Sequence, residues 1–145
     1  MDIIKIAENE IGYKEDPANS NLTKYGKWFG IDGVAWCGIF VSWCYAQSGR
    51  PLPAIGFKNG FAGCQTAVKY FKEKNMITDR PVAGDIVFFD WNGDGRYDHT
   101  GLFVRQIDGN YFETIEGNTS LSNQSNGGEV MRRKRLYKNI LFVHF

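Results

Sequence analysis

The chain has 145 residues, and its 17 lysines and arginines against 16 aspartates and glutamates give a formal net charge of +1 at pH 7. A near-neutral chain of this length has the size of one globular domain and disfavours partners bound by phosphate neutralisation, nucleic acid among them. Hydrophobic residues make up 43% of the chain and charged residues 23%, which excludes disordered, collagen-like and mucin-like proteins. We therefore predict one domain over residues 1–145.

The cysteines and the N-terminus indicate the cellular compartment. There are three cysteines, Cys37, Cys44 and Cys64, and an odd number cannot form a complete disulfide framework. The N-terminus lacks the basic segment and uninterrupted apolar stretch of a secretory signal peptide. The longest apolar stretch, residues 34–46, is too short to span a bilayer. We expect synthesis in the cytoplasm without a signal peptide and no insertion into a membrane.

The first half of the sequence has helical periodicity. Apolar residues recur at helical spacing over residues 2–12 and 22–29, and a later helix begins at Cys64 and frays around Asn75. Residues 36–47 are apolar on nearly every side and are followed by a glycine and a proline. This segment is predicted to be a buried central helix.

The second half consists of short segments rich in aromatic and branched residues, separated by glycine, asparagine and aspartate. These predicted strands cover residues 86–89, 100–104, 111–116, 129–133 and 139–145. Because the strands follow the helices and do not alternate with them, the pattern predicts an α+β domain. We expect N-terminal helices packed on a C-terminal antiparallel sheet of about five or six strands.

Cys37 lies at the first turn of the predicted central helix. Unpaired backbone N–H groups and the positive end of the helix dipole stabilise an anion at that position, so it favours a thiolate nucleophile. A free cysteine is also a common small core residue, which is the better description of Cys44 and Cys64. Position alone leaves both interpretations open for Cys37.

A nucleophilic cysteine needs a base, and the chain has two histidines. His99 opens a predicted strand after a glycine- and aspartate-rich loop, whereas His144 is the penultimate residue, so His99 is the better candidate. If the strand that begins at His99 pairs with the next strand in a hairpin, Glu116 returns to its neighbourhood. A carboxylate there would fix the orientation and tautomer of the ring, with Asn118 as a further polar partner.

Three segments together resemble the CHAP domains (cysteine, histidine-dependent amidohydrolase/peptidase). They are AWCGIFVSWC around Cys37, GDIVFFDWNGDGRYDHTGLFV through His99, and TIEGNTS around Glu116 and Asn118. The resemblance covers nearly the whole chain and implies a papain-like, NlpC-related fold. It also implies that Cys37 attacks an amide of peptidoglycan and that His99 is general base and then acid. Glu116 and Asn118 would orient the histidine.

The family has many members that are catalytic domains of bacteriophage endolysins, which reach the wall through holin pores and carry no signal peptide. The resemblance leaves two reactions open, N-acetylmuramoyl-L-alanine amidase and stem or cross-bridge endopeptidase, and both use a cysteine acyl-enzyme. The alternatives are a catalytically inactive, calcium-dependent wall-binding module and an interbacterial amidase toxin. Because the chain ends on its last predicted strand, the sequence is consistent with a catalytic domain whose cell-wall-binding domain is separate or removed, or with a one-domain enzyme.

The loop before His99 carries the pattern D-x-[DN]-x-[DN]-G, the first half of an EF-hand calcium loop. Its oxygen donors are the side chains of Asp90, Asn92, Asp94 and Asp98 and the backbone carbonyl of Arg96. Gly101 occupies the position of the bidentate glutamate, so we predict weak affinity, about 10⁻⁴ to 10⁻³ M. The same residues also form metal-free turns. We favour calcium because neighbouring carboxylates repel one another, and the loop resembles that of certain lysin CHAP domains that bind calcium.

One dense basic run, residues 132–135, lies in and after a predicted strand. It could attract anionic wall polymers or nucleic acid. The near-neutral net charge of the chain favours the interpretation that these side chains are the solvated end of the strand.

Overall fold

The computed structural model describes residues 2–145, so that Met1 of the predicted domain lies outside it. Its helices are α1 (Ile3–Glu8), α2 (Lys24–Phe29), α3 (Cys37–Gln47) and α4 (Cys64–Glu73). Its strands are β1 (Ile77–Thr78), β2 (Ile86–Phe89), β3 (His99–Gln106), β4 (Tyr111–Thr119), β5 (Glu129–Leu136) and β6 (Ile140–Val143). The helices precede the sheet, which confirms the predicted α+β class. Within residues 2–145, no helix has the length and apolar character that crossing a membrane requires.

The six strands form one antiparallel sheet in the order β1-β6-β2-β3-β4-β5. The C-terminal strand β6 lies between β1 and β2, so β2 has a partner on each side and all four of its residues are buried. The predicted number of strands is confirmed. The sequence pattern missed β1, which has only two residues and pairs only with β6.

Helix α3 is the buried central helix that the sequence predicted. Eight of its eleven residues are buried, and the helix packs against β3 and β4. Its apolar side chains share one core cluster with Phe88, Leu102 and Ile115 of the sheet. A glycine permits this approach, because a Cβ atom at Gly117 of β4 would lie 2.7 Å from Cβ of Phe40. The C-terminal half of β4 therefore packs closely against the helix.

The N-terminus of α3 has an unusual cap. Trp36 occupies the N-cap position and makes no side-chain hydrogen bond to the helix, whereas the hydroxyl of Thr23 accepts from the N–H of Gly26 at the start of α2. The first N–H groups of α3 are therefore not satisfied by a capping side chain. They remain able to interact with an anion at this end of the helix.

The segment that leads into α4 runs along the first turns of α3. The backbone N–H of Phe61 donates to the hydroxyl of Ser42 at 3.1 Å, and a Cβ atom at Gly38 would lie 3.1 Å from the carbonyl oxygen of Ala62. This path carries Cys64, the first residue of α4, towards the first residue of α3.

Candidate active site

Cys37 is the first residue of α3, and its side chain is buried. The pKa of Cys37 is held well below its usual value, chiefly because the thiol of Cys64 donates a hydrogen bond to it. Burial opposes this shift, but the neighbouring ring of His99 and the backbone N–H of Thr100 lower the pKa further. The surroundings of Cys37 therefore favour the nucleophilic thiolate.

His99, the first residue of β3, is fully buried beside Cys37. Its Nε2 lies 2.9 Å from Oε1 of Glu116, and its Nδ1 has no hydrogen-bond partner of good geometry within residues 2–145. Burial lowers the pKa of His99, but the Cys37 thiolate and the Glu116 carboxylate outweigh burial and raise it to about 9. With Nε2 bound to the carboxylate, Nδ1 is the nitrogen free to exchange a proton with the sulfur.

Two aromatic rings fix the plane of the histidine. The imidazole stacks on Trp91 with ring centroids 5.5 Å apart and on Phe89 at 6.0 Å. Phe89 ends β2 and Trp91 belongs to the loop that follows it. The ring of His99 is thus held by β2 and its loop on one side and by Glu116 at its Nε2 edge.

Glu116 is fully buried, and both of its carboxylate oxygens are occupied. Oε1 accepts from Nε2 of His99 at 2.9 Å and from the guanidinium of Arg135 at 2.5 Å. Oε2 accepts from Nε of Arg135 at 2.8 Å and from the hydroxyl of Thr114 at 2.5 Å. Burial raises the pKa of Glu116, but Arg135 and then His99 lower it to about 2, so the group is ionised at neutral pH.

The site therefore contains a thiol, an imidazole and a carboxylate in series, with the thiol at a helix N-terminus. Residues 29–118, which contain all three, match the family model of the CHAP domain. The chain belongs to the CHAP domain family. CHAP domains are cysteine- and histidine-dependent amidohydrolases or peptidases, and the family implies a peptidoglycan substrate. No curated protein matches the chain as a relative.

Asn118 lies beside this CHAP site but bonds elsewhere. Its backbone has a left-handed conformation with φ of 59°, and its Oδ1 accepts from the N–H of Gly128 at 3.0 Å. Its Nδ2 donates to Oδ1 of Asn126 at 3.0 Å. The structure places Cys37, His99 and Glu116 together, whereas the side chain of Asn118 holds the loop between β4 and β5.

Arg135 is a residue of this CHAP site that the sequence interpretation missed. Its side chain is only 5% exposed, so the expectation of a solvated basic strand end is wrong for this position. Arg132, in contrast, forms exposed ion pairs with Glu8 and Glu113. The predicted strand ended at residue 133, but β5 continues to Leu136, and its register pairs Arg135 with Phe112. On a strand of this length, alternation would have put Arg135 on the face that carries Glu116.

The predicted calcium loop is closed by hydrogen bonds between its own residues. Oδ2 of Asp90 accepts from the N–H of Gly95 at 2.8 Å, and Oδ2 of Asp98 accepts from the N–H of Trp91 at 3.1 Å. Asn92 and Asp94 make similar local turns through their side-chain oxygens. No group of three or more His, Cys, Asp or Glu side chains converges on one point in the described chain, residues 2–145. However, Oδ1 of Asp90 is buried without a hydrogen-bond partner among these residues.

The structure gives a reason for the departure of this loop from the EF-hand pattern. Gly101 stands where an EF-hand has its bidentate glutamate. A Cβ atom at Gly101 would lie 2.5 Å from Cγ of Glu116. A glutamate at position 101 would therefore collide with Glu116, whose carboxylate holds His99. Where the loop joins β3, the close approach of β4 leaves room only for glycine.

Proposed function

We propose that this CHAP domain is a peptidoglycan hydrolase of the endolysin type, which cleaves an amide of the bacterial cell wall through a Cys37 acyl-enzyme. The observation that carries the proposal is the buried series of hydrogen bonds and contacts from Glu116 through His99 to Cys37. Such an arrangement supplies both a nucleophile and a proton donor for the leaving amine.

In the first half of the reaction, the Cys37 sulfur attacks the carbonyl carbon of the scissile amide and forms a C–S bond. The backbone N–H of Cys37, at the uncapped end of α3, would stabilise the oxyanion. The tetrahedral intermediate collapses when the proton on Nδ1 of His99 passes to the amide nitrogen. The C–N bond breaks, and an amine and a thioester remain.

In the second half, Nδ1 of His99 takes a proton from water, whose oxygen attacks the thioester carbon. The C–S bond breaks, a carboxylic acid leaves, and the thiolate and imidazolium are restored. Glu116 stays ionised throughout and holds Nε2, so that the imidazole keeps the same orientation in both halves.

The test of this function is digestion of purified bacterial cell walls. We expect wild-type protein to reduce wall turbidity, and we expect Cys37→Ala to lose this activity while the matched core variant Cys44→Ala keeps it. Mass spectrometry of the products separates the two reactions, because only the amidase releases intact stem peptides from the glycan. Equal turbidity loss with Cys37→Ala would contradict the proposal, and wall binding without turbidity loss by the wild type would favour the inactive wall-binding module.

Calcium is the cofactor that we propose for the loop between β2 and β3. The unpartnered Oδ1 of Asp90 and the oxygen-rich composition of the loop support this. The side chains of Asp90, Asn92, Asp94 and Asp98 and the carbonyl of Arg96 would hold the ion. Bound calcium would neutralise the carboxylates and order the segment from Trp91 to Asp98, which contacts and precedes His99.

Calcium binding can be measured apart from catalysis. We expect EDTA to lower the melting temperature and the lytic rate, and added calcium to restore both and to give heat on titration into the chelated protein. Magnesium at the same concentration is the control for ionic strength and charge, because Mg²⁺ demands near-ideal octahedral geometry and dehydrates reluctantly. An unchanged melting temperature together with no heat of binding would contradict the calcium proposal.

A further inference from the structure

Arg135 lies on β5, which is an edge strand of the sheet, and side chains on an edge strand can extend into solvent. Nevertheless its guanidinium is buried and forms two parallel hydrogen bonds with Glu116, of 2.8 Å from Nε and 2.5 Å from the terminal nitrogen. Its remaining terminal nitrogen donates to Gln124. Because burial of a guanidinium is unfavourable unless it is fully paired, this position requires the carboxylate.

The aromatic rings that hold the histidine also hold the arginine. The guanidinium carbon of Arg135 lies 4.9 Å from the ring centre of Trp91 and 5.3 Å from that of Phe89. Both rings also stack on His99. The arginine and the histidine therefore share one aromatic support and one carboxylate.

The four hydrogen bonds to Glu116 fill the acceptor sites of its two oxygens. Without Arg135, one bond would remain on each oxygen, from His99 and from Thr114. The carboxylate would then lose two of the four bonds that fix its orientation, and its buried charge would have lost its principal counter-ion. A protonated or rotated Glu116 cannot hold Nε2 of His99 as the present one does.

We propose that Arg135 is a positioning residue of the hydrolase. The two parallel hydrogen bonds of its guanidinium fork hold the Glu116 carboxylate in the orientation that keeps the imidazole of His99 facing Cys37. The role rests on the proposed function, since it concerns the same reaction. Arg135 touches no reacting atom and acts only through Glu116. It differs in this from Arg132 on the same strand, whose partners Glu8 and Glu113 lie outside the site.

The test compares Arg135→Gln with the matched surface variant Arg132→Gln in the cell-wall assay. We expect Arg135→Gln to reduce kcat by about tenfold to a hundredfold with little change in KM, by analogy with the loss seen when the hydrogen-bond partner that orients a metal-bound histidine is removed. Arg132→Gln should keep the wild-type rate. A folded Arg135→Gln protein with the kcat of Arg132→Gln would overturn the proposal.

A double-mutant cycle separates positioning from mere stability. In a Glu116→Gln background, Arg135→Gln should cause little further loss of kcat, because the carboxylate that Arg135 orients is already gone. If the two losses multiply, Arg135 acts independently of Glu116 and the proposal is wrong. Should Arg135→Gln fail to fold, Arg135→Lys serves instead: it keeps the charge but not the fork, and we expect a reduced kcat, whereas a wild-type kcat would overturn the proposal.

A second readout distinguishes this proposal from the proposed function. Site-specific alkylation of Cys37 by iodoacetamide, followed by peptide mass spectrometry, needs no wall substrate. If the wild type digests no wall, the hydrolase function fails, yet slower Cys37 alkylation in Arg135→Gln than in Arg132→Gln would still support the positioning role. Equal alkylation rates in the two folded variants would contradict it.

Discussion

Cys37 and Cys44 lie two turns apart on the same helix, and both are buried. The pKa of Cys44 is raised well above its usual value, first by burial and then by the nearby Glu10. The pKa of Cys37 moves in the opposite direction, because Cys64, His99 and the backbone at Thr100 outweigh burial. Burial alone thus makes a thiol inert, and the donors at the end of the helix produce the nucleophile.

The largest effect that this comparison predicts is a difference in alkylation. At neutral pH, iodoacetamide should modify Cys37 in the folded protein, while Cys44 should react only through global unfolding, whose population is on the order of 10⁻³ or less. The ratio of the two rates, measured by peptide mass spectrometry, is therefore expected to be about a thousandfold or more. In urea the two rates should converge. Similar alkylation rates of Cys37 and Cys44 in the folded protein would show that the two thiols do not differ in reactivity.

The second prediction concerns the carboxylate that supports the site. The folded-state pKa of Glu116 is about 2, below the value of about 4.3 for an unfolded glutamate. A depressed pKa contributes stability above the unfolded value, and the contribution is lost as pH falls through the folded value. We expect the free energy of unfolding to decrease between about pH 5 and pH 2, by on the order of 2 kcal/mol from this group.

Urea unfolding at several pH values measures this loss, with Glu116→Gln as the comparison. The variant lacks the titrating group, so its stability should fall less steeply over the same pH range. Parallel curves for the two proteins would show that the stability of the site does not depend on an ionised Glu116.

Local sequence patterns predicted the features of the fold that a few neighbouring residues determine. Gly30 ends α2 with φ of 101°, and the apolar segment at residues 36–47 became α3 with a shift of one residue. The hairpin of β3 and β4 also formed as predicted, which brought Glu116 to His99. These features follow from helix stops, apolar periodicity and strand pairing, and all three are encoded in neighbouring residues.

The contacts that the sequence did not predict join distant segments. Arg135 was expected in solvent because it belongs to a basic run in a nearly neutral chain, and only pairing with β4 reveals its partner. The proximity of Cys64 to Cys37 depends on the path of the segment before α4 along α3. In the same way, Asn118 differs from its expected place because a left-handed backbone turns its side chain into the loop. Such contacts depend on tertiary packing, which residue type and spacing do not specify.

The smallest effect that we predict concerns Cys64. Its hydrogen bond to Cys37 is the main difference between the surroundings of the two cysteines of α3. In Cys64→Ala the hydrogen bond to the thiolate is lost, so the pKa of Cys37 should rise. A hydrogen bond to a charged group stabilises the charged form, so its loss favours the protonated thiol. The pH at which Cys37 alkylation becomes fast should therefore be higher in Cys64→Ala than in the wild type. Cys64→Ser, which keeps a donor of similar size, should stay near the wild type. If the Ala profile coincides with the wild-type profile, the low pKa of Cys37 does not depend on Cys64, and His99 with the end of α3 must account for it.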